Sequence, residues 1–411
     1  MSEGLEARRR RLLGPNVRLF YDQPVHLVRG QGARVWGAGG REYIDCYNNV
    51  PHVGHAHPRV VEAIARQAGM LNTHTRYLHE GILDYVERLV GTMGPQISCA
   101  IMVCTGSEAN DVALRMAQAV TGKVGIIATD HTYHGNTAAV SQLSTTMPPI
   151  GGTGSHVAHV PAPDAMAGFD PQAFAAEVDA ACARLEALGH GVSGIILDPF
   201  FVNEGFPDLP PGALDPALAV VRAHGGVVIA DEVQPGFGRL GRWFWGHERA
   251  GIAPDIVTMG KPMGNGHPVA AVATGEAIMA AFRGAFRYFN TFGGNPVCCA
   301  AAMAVLDVLR DEDLPAKAAV TGDHLRAGLR QLAARHGVLA EVRGQGLATG
   351  VELDGDRALA DRVVNGMREA GVLMGANGIR YNVLKIRPPL AFGIAEADEV
   401  LERLDVVLAN V

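Results

Sequence analysis

The chain has 411 residues, 48% of them hydrophobic and 19% charged, with a formal net charge of -7, a sequence pI near 6.1 and a mean hydropathy of +0.11. That is apolar material for a large core and more than one domain, and it excludes a disordered or fibrous chain. The acidic balance offers no field for a polyanion, so nucleic acid is not an expected partner.

The one basic block, Arg8 to Arg11, reads as a solvated helix end or N-terminal arm. No apolar stretch long enough for export or for spanning a bilayer follows it. Short alternating stretches at 25–28, 33–36 and 42–44, separated by Gly-rich turns, predict small antiparallel strands. His52, His55 and His57 come next at short spacings that raise a metal site. No carboxylate or cysteine joins them at ligand spacing, and the Gly and Pro around them mark a turn.

Strand-length apolar runs then recur at 99–103, 124–128, 194–197, 226–230, 255–259 and 269–274. Helical patterns intervene, as at 108–120, where Val112, Met116 and Val120 share one face. The alternation predicts an α/β fold with a mostly parallel sheet covered by helices. Such sheets bind ligands at the carboxyl ends of their strands, where Thr105, Asp130, Asp198, Asp231 and Lys261 all fall. The Pro- and Gly-rich stretch 147–163 reads as a surface excursion. Beyond about residue 298, helical patterns at 300–309 and 323–336, strand-like runs at 346–353 and 384–386 and a closing helix from 395 predict a smaller α+β domain. The expected division is 50–297 for the large domain, with 1–49 and 298–411 forming the small one. The cysteines show no CxxC pair and sit mostly in apolar surroundings, which points to reduced thiols and a cytoplasmic setting.

Two residues about thirty positions apart, one βα unit, carry the chemistry. Lys261, at the end of an apolar strand and flanked by glycines, is set for a desolvated amine of lowered pKa, a candidate imine-forming nucleophile. Asp231, at the mouth of the preceding strand, can hold a positive charge on a heterocycle. Together they fit pyridoxal 5'-phosphate (PLP), whose aldehyde needs a lysine and whose ring nitrogen needs an acid. Thr105-Gly106-Ser107-Glu108-Ala109-Asn110 joins a strand to a helix, so its amides form a candidate phosphate cup. The plainer alternative is a helix cap made by Ser107 with Asn110 and Asp111. Tyr133, followed by His134 and Gly135, is positioned to stack on a planar ring. Val233 would pack on the opposite face and Gln234 would reach the ring hydroxyl.

The run 229–241 (Ile-Ala-Asp-Glu-Val-Gln-Pro-Gly-Phe-Gly-Arg-Leu-Gly), the Lys261 segment, Thr-Gly-Ser-Glu-Ala-Asn, Tyr-His-Gly and Asn290-Thr291-Phe292-Gly293-Gly294-Asn295-Pro296 occur together in this chain. Together they resemble the class III (subgroup II) PLP-dependent aminotransferases over nearly the whole chain. The resemblance implies PLP fold type I, a Lys261 aldimine, Asp231 on the pyridinium nitrogen, and Gly106 and Ser107 on the phosphate. It further implies Thr291 reaching the phosphate of a neighbouring subunit, hence a homodimer with shared active sites. Within the class, the segments around Tyr47, Arg76 and Lys261 are similar to the branch that holds alanine-glyoxylate aminotransferase 2 and the phosphoethanolamine and phosphohydroxylysine phospho-lyases.

That branch contains two chemistries, transfer of an amino group to a 2-oxo acid by a ping-pong cycle and elimination of phosphate from a phosphorylated amine. Lys385 and Arg387 alternate onto one strand face. The resemblance puts Arg387 where the aminotransferases bind a substrate carboxylate and the phospho-lyases carry lysine, which favours transamination; a guanidinium suits a two-point carboxylate contact. Many class members have Glu-Pro where Asp198-Pro199 stands here, followed by a glutamate that gates the arginine. Glu204, or Asn203, is the expected gate facing Arg387, with a surface position of Glu204 as the alternative. Arg76 and Tyr47 are candidate substrate contacts, Arg76 being the phosphate ligand if the chain is a lyase.

Overall fold

The computed structural model describes residues 4–15 and 17–411. The basic block lies on the helix Leu5–Leu13, which buries none of its residues. Among the described residues, no helix is long and apolar enough to cross a membrane.

The central sheet has seven strands in the order Cys99–Val103, Ala270–Thr274, Ile256–Met259, Val227–Asp231, Gly194–Leu197, Ile126–Thr129, Val157–Val160. Neighbours from Ile256–Met259 onward are parallel. Ala270–Thr274 runs antiparallel to both of its neighbours. The central strands are short unbroken apolar runs because both faces are covered. In Gly194–Leu197 all four residues are buried, and the period of two sends their side chains to opposite layers. Ile195 and Leu197 pack with Phe174, Val178 and Val221 from the helices Pro171–Ala187 and Asp215–Ala223. Ile196 packs with Val112 and Met116 from the helix Gly106–Thr121. The α/β expectation therefore holds, with one correction. Residues 157–160, read as part of a surface excursion, form an edge strand hydrogen-bonded to Ile126–Thr129. Four residues, Val-Ala-His-Val, are too few to show a period against the Gly and Pro before them.

Two four-stranded sheets flank this layer. In one, Leu27–Gln31, Arg34–Gly37 and Glu42–Asp45 form an antiparallel meander, and Val372–Leu373 from the far end of the chain adds in parallel to Glu42–Asp45. The other joins Leu339–Gln345, Ala348–Leu353, Val383–Ile386 and Gly375–Asn377, all antiparallel. The Arg387 amide donates to the Cys46 carbonyl at 2.8 Å, so the two small sheets meet where Arg387 leaves its strand.

The helix Leu314–Arg335 packs on the second of these sheets, and at Gly322 an added Cβ would lie 1.9 Å from the Gly346 carbonyl oxygen in the turn joining its first two strands. The same oxygen accepts from Arg326 at 2.6 Å. Gly322→Ala must push the helix off the 346 turn, and overpacking of this kind costs about 1–3 kcal/mol. The expected result is a lower urea midpoint; a variant that denatures with the parent would show the contact to be soft.

Candidate active site

A cavity of about 400 Å³ opens at the carboxyl ends of the parallel strands and is lined by Gly106, Ser107, Tyr133, His134, Asp198, Asp231, Val233, Gln234 and Lys261, among others. Residues from five separate strand ends thus meet at one point. Asp130 is the exception to the expected row, since it turns away to accept from the Ala162 amide at 2.7 Å.

The helix Gly106–Thr121 is capped by Thr105, whose hydroxyl accepts from the Glu108 amide at 3.1 Å. Glu108 returns the contact, accepting from the Thr105 and Cys104 amides at 3.1 and 2.7 Å. The expected alternative cap through Ser107 is not formed: Asn110 is buried elsewhere, and Ser107 Oγ donates to Asn136 at 3.2 Å. Capping at Thr105 matters for the cavity. It uses the Glu108 amide, while the Ala109 amide donates to the Thr105 carbonyl. Gly106 and Ser107, ahead of them in the first turn, have no intrahelical acceptor for their N–H groups. The fit is close here, because a Cβ on Gly106 would lie 3.0 Å from Val233 Cγ2 and press that side chain aside.

Asp231 ends its strand inside the protein, 5% exposed. Its Oδ2 accepts from His134 Nδ1 at 2.7 Å and from Asn110 Nδ2 at 2.8 Å, and its Oδ1 from the Val233 amide at 3.0 Å. Asn110 is itself fixed by Thr258, whose hydroxyl donates to its Oδ1 at 2.6 Å. These three donors satisfy the buried side chain. Asp198, which also lines the cavity, accepts only from backbone, from the Phe200 amide at 2.9 Å and the Val202 amide at 3.3 Å. Burial, then the Glu204 and Asp231 carboxyls, push its acid well above the usual range.

Lys261 follows Ile256–Met259 by two residues and is partly buried in the cavity wall. Burial lowers its pKa, the Arg387 charge lowers it further, and Asp231 and Asp198 oppose the shift. An amine of reduced basicity carries more of the free base at neutral pH, which is the nucleophilic form.

Arg387 does not touch the open cavity directly. It is 5% exposed, donates through Nη1 to Gln234 Oε1, and its Nη2 lies 3.4 Å from the Tyr47 carbonyl oxygen, with its carbon 5.6 Å from the Tyr47 ring centre. Its Nε is buried without a hydrogen-bond partner. The other end of Gln234 donates to Asn203 Oδ1 at 3.2 Å, and Lys385 Nζ reaches the same oxygen at 3.0 Å. Asn203, not Glu204, is therefore the gate-segment residue linked to Arg387. The expected Glu204 gate is corrected on both of its readings. Glu204 is 4% exposed, so it is no surface residue, and its one hydrogen bond to another side chain is from Thr129 Oγ1 at 3.3 Å, not from Arg387. The loop carrying it explains the turn, since Phe201 and Phe206 adopt positive φ of 49° and 60°, a conformation that reverses the chain within a few residues.

Arg76 and Thr291 lie elsewhere. Arg76 stacks over the Phe289 ring at 3.8 Å and lines a second cavity with Tyr288 and Asn290. Thr291 is exposed beside it and does not line the Lys261 cavity of its own chain. The three histidines of the 52–57 turn separate, His52 donating to the Phe237 carbonyl, His55 meeting Asp45 and His57 meeting Glu312. Sequence reasoning missed Asn110 as an Asp231 ligand, the contact of Lys385 with Asn203, and Glu232. Glu232 is fully buried and accepts from the amides of Gly246 and His247 at 2.8 and 2.7 Å, bracing the segment after Asp231. An acidic Asp231-Glu232 pair on a buried strand end was the available signal, because the second charge needs its own donors.

Residues 20–408 match the family model for aminotransferase class-III. The chain belongs to that family. It is 40% identical over 412 residues to an alanine-glyoxylate aminotransferase 2-like protein of Drosophila melanogaster, covering 95% of this chain and 83% of the relative. It is 36% identical to ethanolamine-phosphate phospho-lyase homolog 1 of Caenorhabditis elegans, over 99% and 93% of the two chains. Among solved structures, an Arthrobacter phospholyase in complex with phosphoethanolamine superposes with a TM-score of 0.95 at 43% identity, covering 99% of this chain and all of that one.

The cofactor of this family member is PLP. The cavity has the chemistry such a group requires: an amine of lowered basicity, a buried carboxylate with three donors, and two unspent helix amides in a cradle too tight for a side chain. Because Arg387 contributes to the lowered basicity of Lys261, Arg387→Gln should raise it. In cofactor-free protein, labelling of Lys261 by trinitrobenzenesulfonate is expected to begin at a higher pH in the variant; an unchanged or lower onset would contradict the assignment.

Proposed function

We propose that the chain is a PLP-dependent aminotransferase that moves an amino group between an amine or amino acid and a 2-oxo acid in a ping-pong cycle. When bound, PLP supplies an aldehyde that exchanges with amines and a ring that accepts electrons from the neighbouring carbon. In this reading Lys261 holds the cofactor, is released by the incoming amine, and then carries the proton at the carbon beside that nitrogen. Asp231 keeps a proton on the ring nitrogen, the Gly106 and Ser107 amides hold the phosphate, and Tyr133 and Val233 close on the two ring faces.

One observation carries the substrate side. Arg387 is a buried cation beside Lys261 whose side-chain partner is a neutral amide, and its Nε is unpartnered. A buried guanidinium with no carboxylate opposite it is costly unless an anion arrives, so the substrate carries one. Gln234 then serves as the latch that an incoming carboxylate displaces.

A phospho-lyase acting on a phosphorylated amine is the second reading. It is favoured by Lys385, a buried amine on the same amide bridge as Arg387, and by the likeness to the Arthrobacter phospholyase. We also propose a homodimer with shared active sites. Leu78 is 98% and Phe292 70% exposed near Thr291 and the second cavity, apolar area of the kind a partner covers, and Thr291 would then reach the other protomer's phosphate. All six cysteines are free thiols, which suits a cytoplasmic setting.

The two readings separate in one experiment. Holoenzyme given an amino donor should lose its yellow colour and regain it with pyruvate, glyoxylate or 2-oxoglutarate, and should release no inorganic phosphate from phosphoethanolamine. Phosphate release without colour loss would replace the first reading with the second. In either chemistry Arg387→Ala should weaken the anionic substrate by about 2–5 kcal/mol, the cost of stripping one partner from a buried charge contact. A KM unchanged by the substitution would remove Arg387 from the substrate site.

A further inference from the structure

Two donors stand at the ends of a short chain of amides. Arg387 Nη1 donates to Gln234 Oε1, Gln234 Nε2 donates to Asn203 Oδ1 at 3.2 Å, and Lys385 Nζ donates to the same Asn203 oxygen at 3.0 Å. A guanidinium has no lone pair to offer, so only the carbonyl end of Gln234 can face Arg387. That sends the Gln234 NH2 toward Asn203, which must present its own oxygen in turn. Lys385 makes the same demand from the other side. A flipped Asn203 would set its NH2 against the Gln234 NH2 and leave Lys385 without that oxygen. Burial, then Arg387 and Lys261, hold the Lys385 amine well below its ordinary range, but an amine keeps an N–H to donate whether or not it is charged.

The backbone of Asn203 is fixed by the sheet that carries Lys385. The Gly378 amide donates to the Asn203 carbonyl at 3.1 Å, Asn377 Nδ2 donates to the Val202 carbonyl, and Arg343 Nη2 donates to the Gly205 carbonyl at 2.9 Å. Asn377 ends the strand Gly375–Asn377, which pairs with Val383–Ile386 so that Gly375 stands opposite Lys385. The two loops touch closely enough that a Cβ on Gly205 would lie 3.3 Å from the Gly378 Cα. Gln234 comes instead from the loop after Val227–Asp231 in the central sheet. Asn203 and Lys385 thus form a fixed bracket, and Gln234 is the partner that can leave it.

We propose that Lys385 and Asn203 are positioning residues that hold the Gln234 carbonyl on Arg387 and so set how readily a substrate carboxylate takes the guanidinium. The inference rests on Arg387 being the anion site of the substrate. For a carboxylate to reach Arg387, Gln234 must yield, and it then gives up a hydrogen bond at each end. A two-point contact between carboxylate and guanidinium offsets that loss. Without Asn203 one of the two bonds is already gone. Without Lys385, Asn203 is free to turn its NH2 to Gln234 and draw Oε1 away from Arg387. Either change loosens the latch.

The probe is propionate, a carboxylate with no amine to react, and its dissociation constant from holoenzyme is read by saturation-transfer NMR, so no turnover is needed. Asn203→Leu should bind propionate about 3- to 10-fold more tightly than the parent, the span of one lost neutral hydrogen bond. Lys385→Met should shift the constant in the same direction, and the double variant should go no further than Asn203→Leu alone, because both residues act through one oxygen. Lys385→Arg keeps a donor on that oxygen and should keep the parent's value, so the two Lys385 variants decide the question if Asn203→Leu does not fold. The sign separates a bracket from a charge: a Lys385 that served the anion directly would make Lys385→Met bind propionate more weakly. That result, additive shifts in the double variant, or single variants that match the parent would overturn the inference. Arg387→Gln tests the reading beneath it. Undiminished propionate affinity in that variant, or no saturable binding by the parent, would remove Arg387 from the anion site; affinity lost there but unchanged in the Asn203 and Lys385 variants would sink the bracket alone.

Discussion

The hydrogen bonding of one buried carboxyl group organises this molecule. Asp231 stands at the end of a buried strand, where polar groups need partners, and Asn110, His134 and the Val233 amide supply them. Two of them, Asn110 and His134, lie 121 and 97 residues away in sequence. The helix that follows the Cys99–Val103 strand and the loop after Ile126–Thr129 must both be seated before that set of contacts is complete. The cavity is thus a by-product of satisfying one group: whatever supports Asp231 also lines the space above it.

Lys261 and Arg387 show the opposite logic. Each is a base or cation left short of counter-charge, one by desolvation and one by having an amide where an acid could stand. Around Asp231 the protein supplies every contact; around these two it withholds them, and the deficit is where small molecules are expected to bind. The contrast between a completed anion and incomplete cations within one cavity gives the site its direction.

Much of this was legible from residue order alone. Lys261, Asp231 and the Thr105 to Asn110 turn announce themselves because unbroken apolar strands end on polar residues at one edge, and that pattern is local. The helix cap read at Ser107 forms at Thr105 instead, which leaves the Gly106 and Ser107 amides free of intrahelical acceptors. The orientation of Glu204 was not legible. It depends on two phenylalanines in left-handed backbone conformations, and nothing in the composition of Phe-Phe-Val-Asn-Glu-Gly-Phe announces a reversal that L-residues with bulky side chains rarely adopt. The edge strand Val157–Val160 was missed for a related reason, since its existence is decided by a neighbouring strand and not by its own four residues.

The single reversed strand, Ala270–Thr274, bears on how Lys261 can move. In a βα crossover the segment after a strand climbs away from the sheet and is anchored at one side only. Here residues 260–269 turn back at once, because Ile256–Met259 pairs with Ala270–Thr274, and the latter pairs in turn with Cys99–Val103. Both stems of the segment bearing the lysine are therefore bolted into the same rigid floor. With its backbone held at both ends, the motion that the proposed reaction asks of Lys261 falls to rotation about the four methylene groups of the side chain.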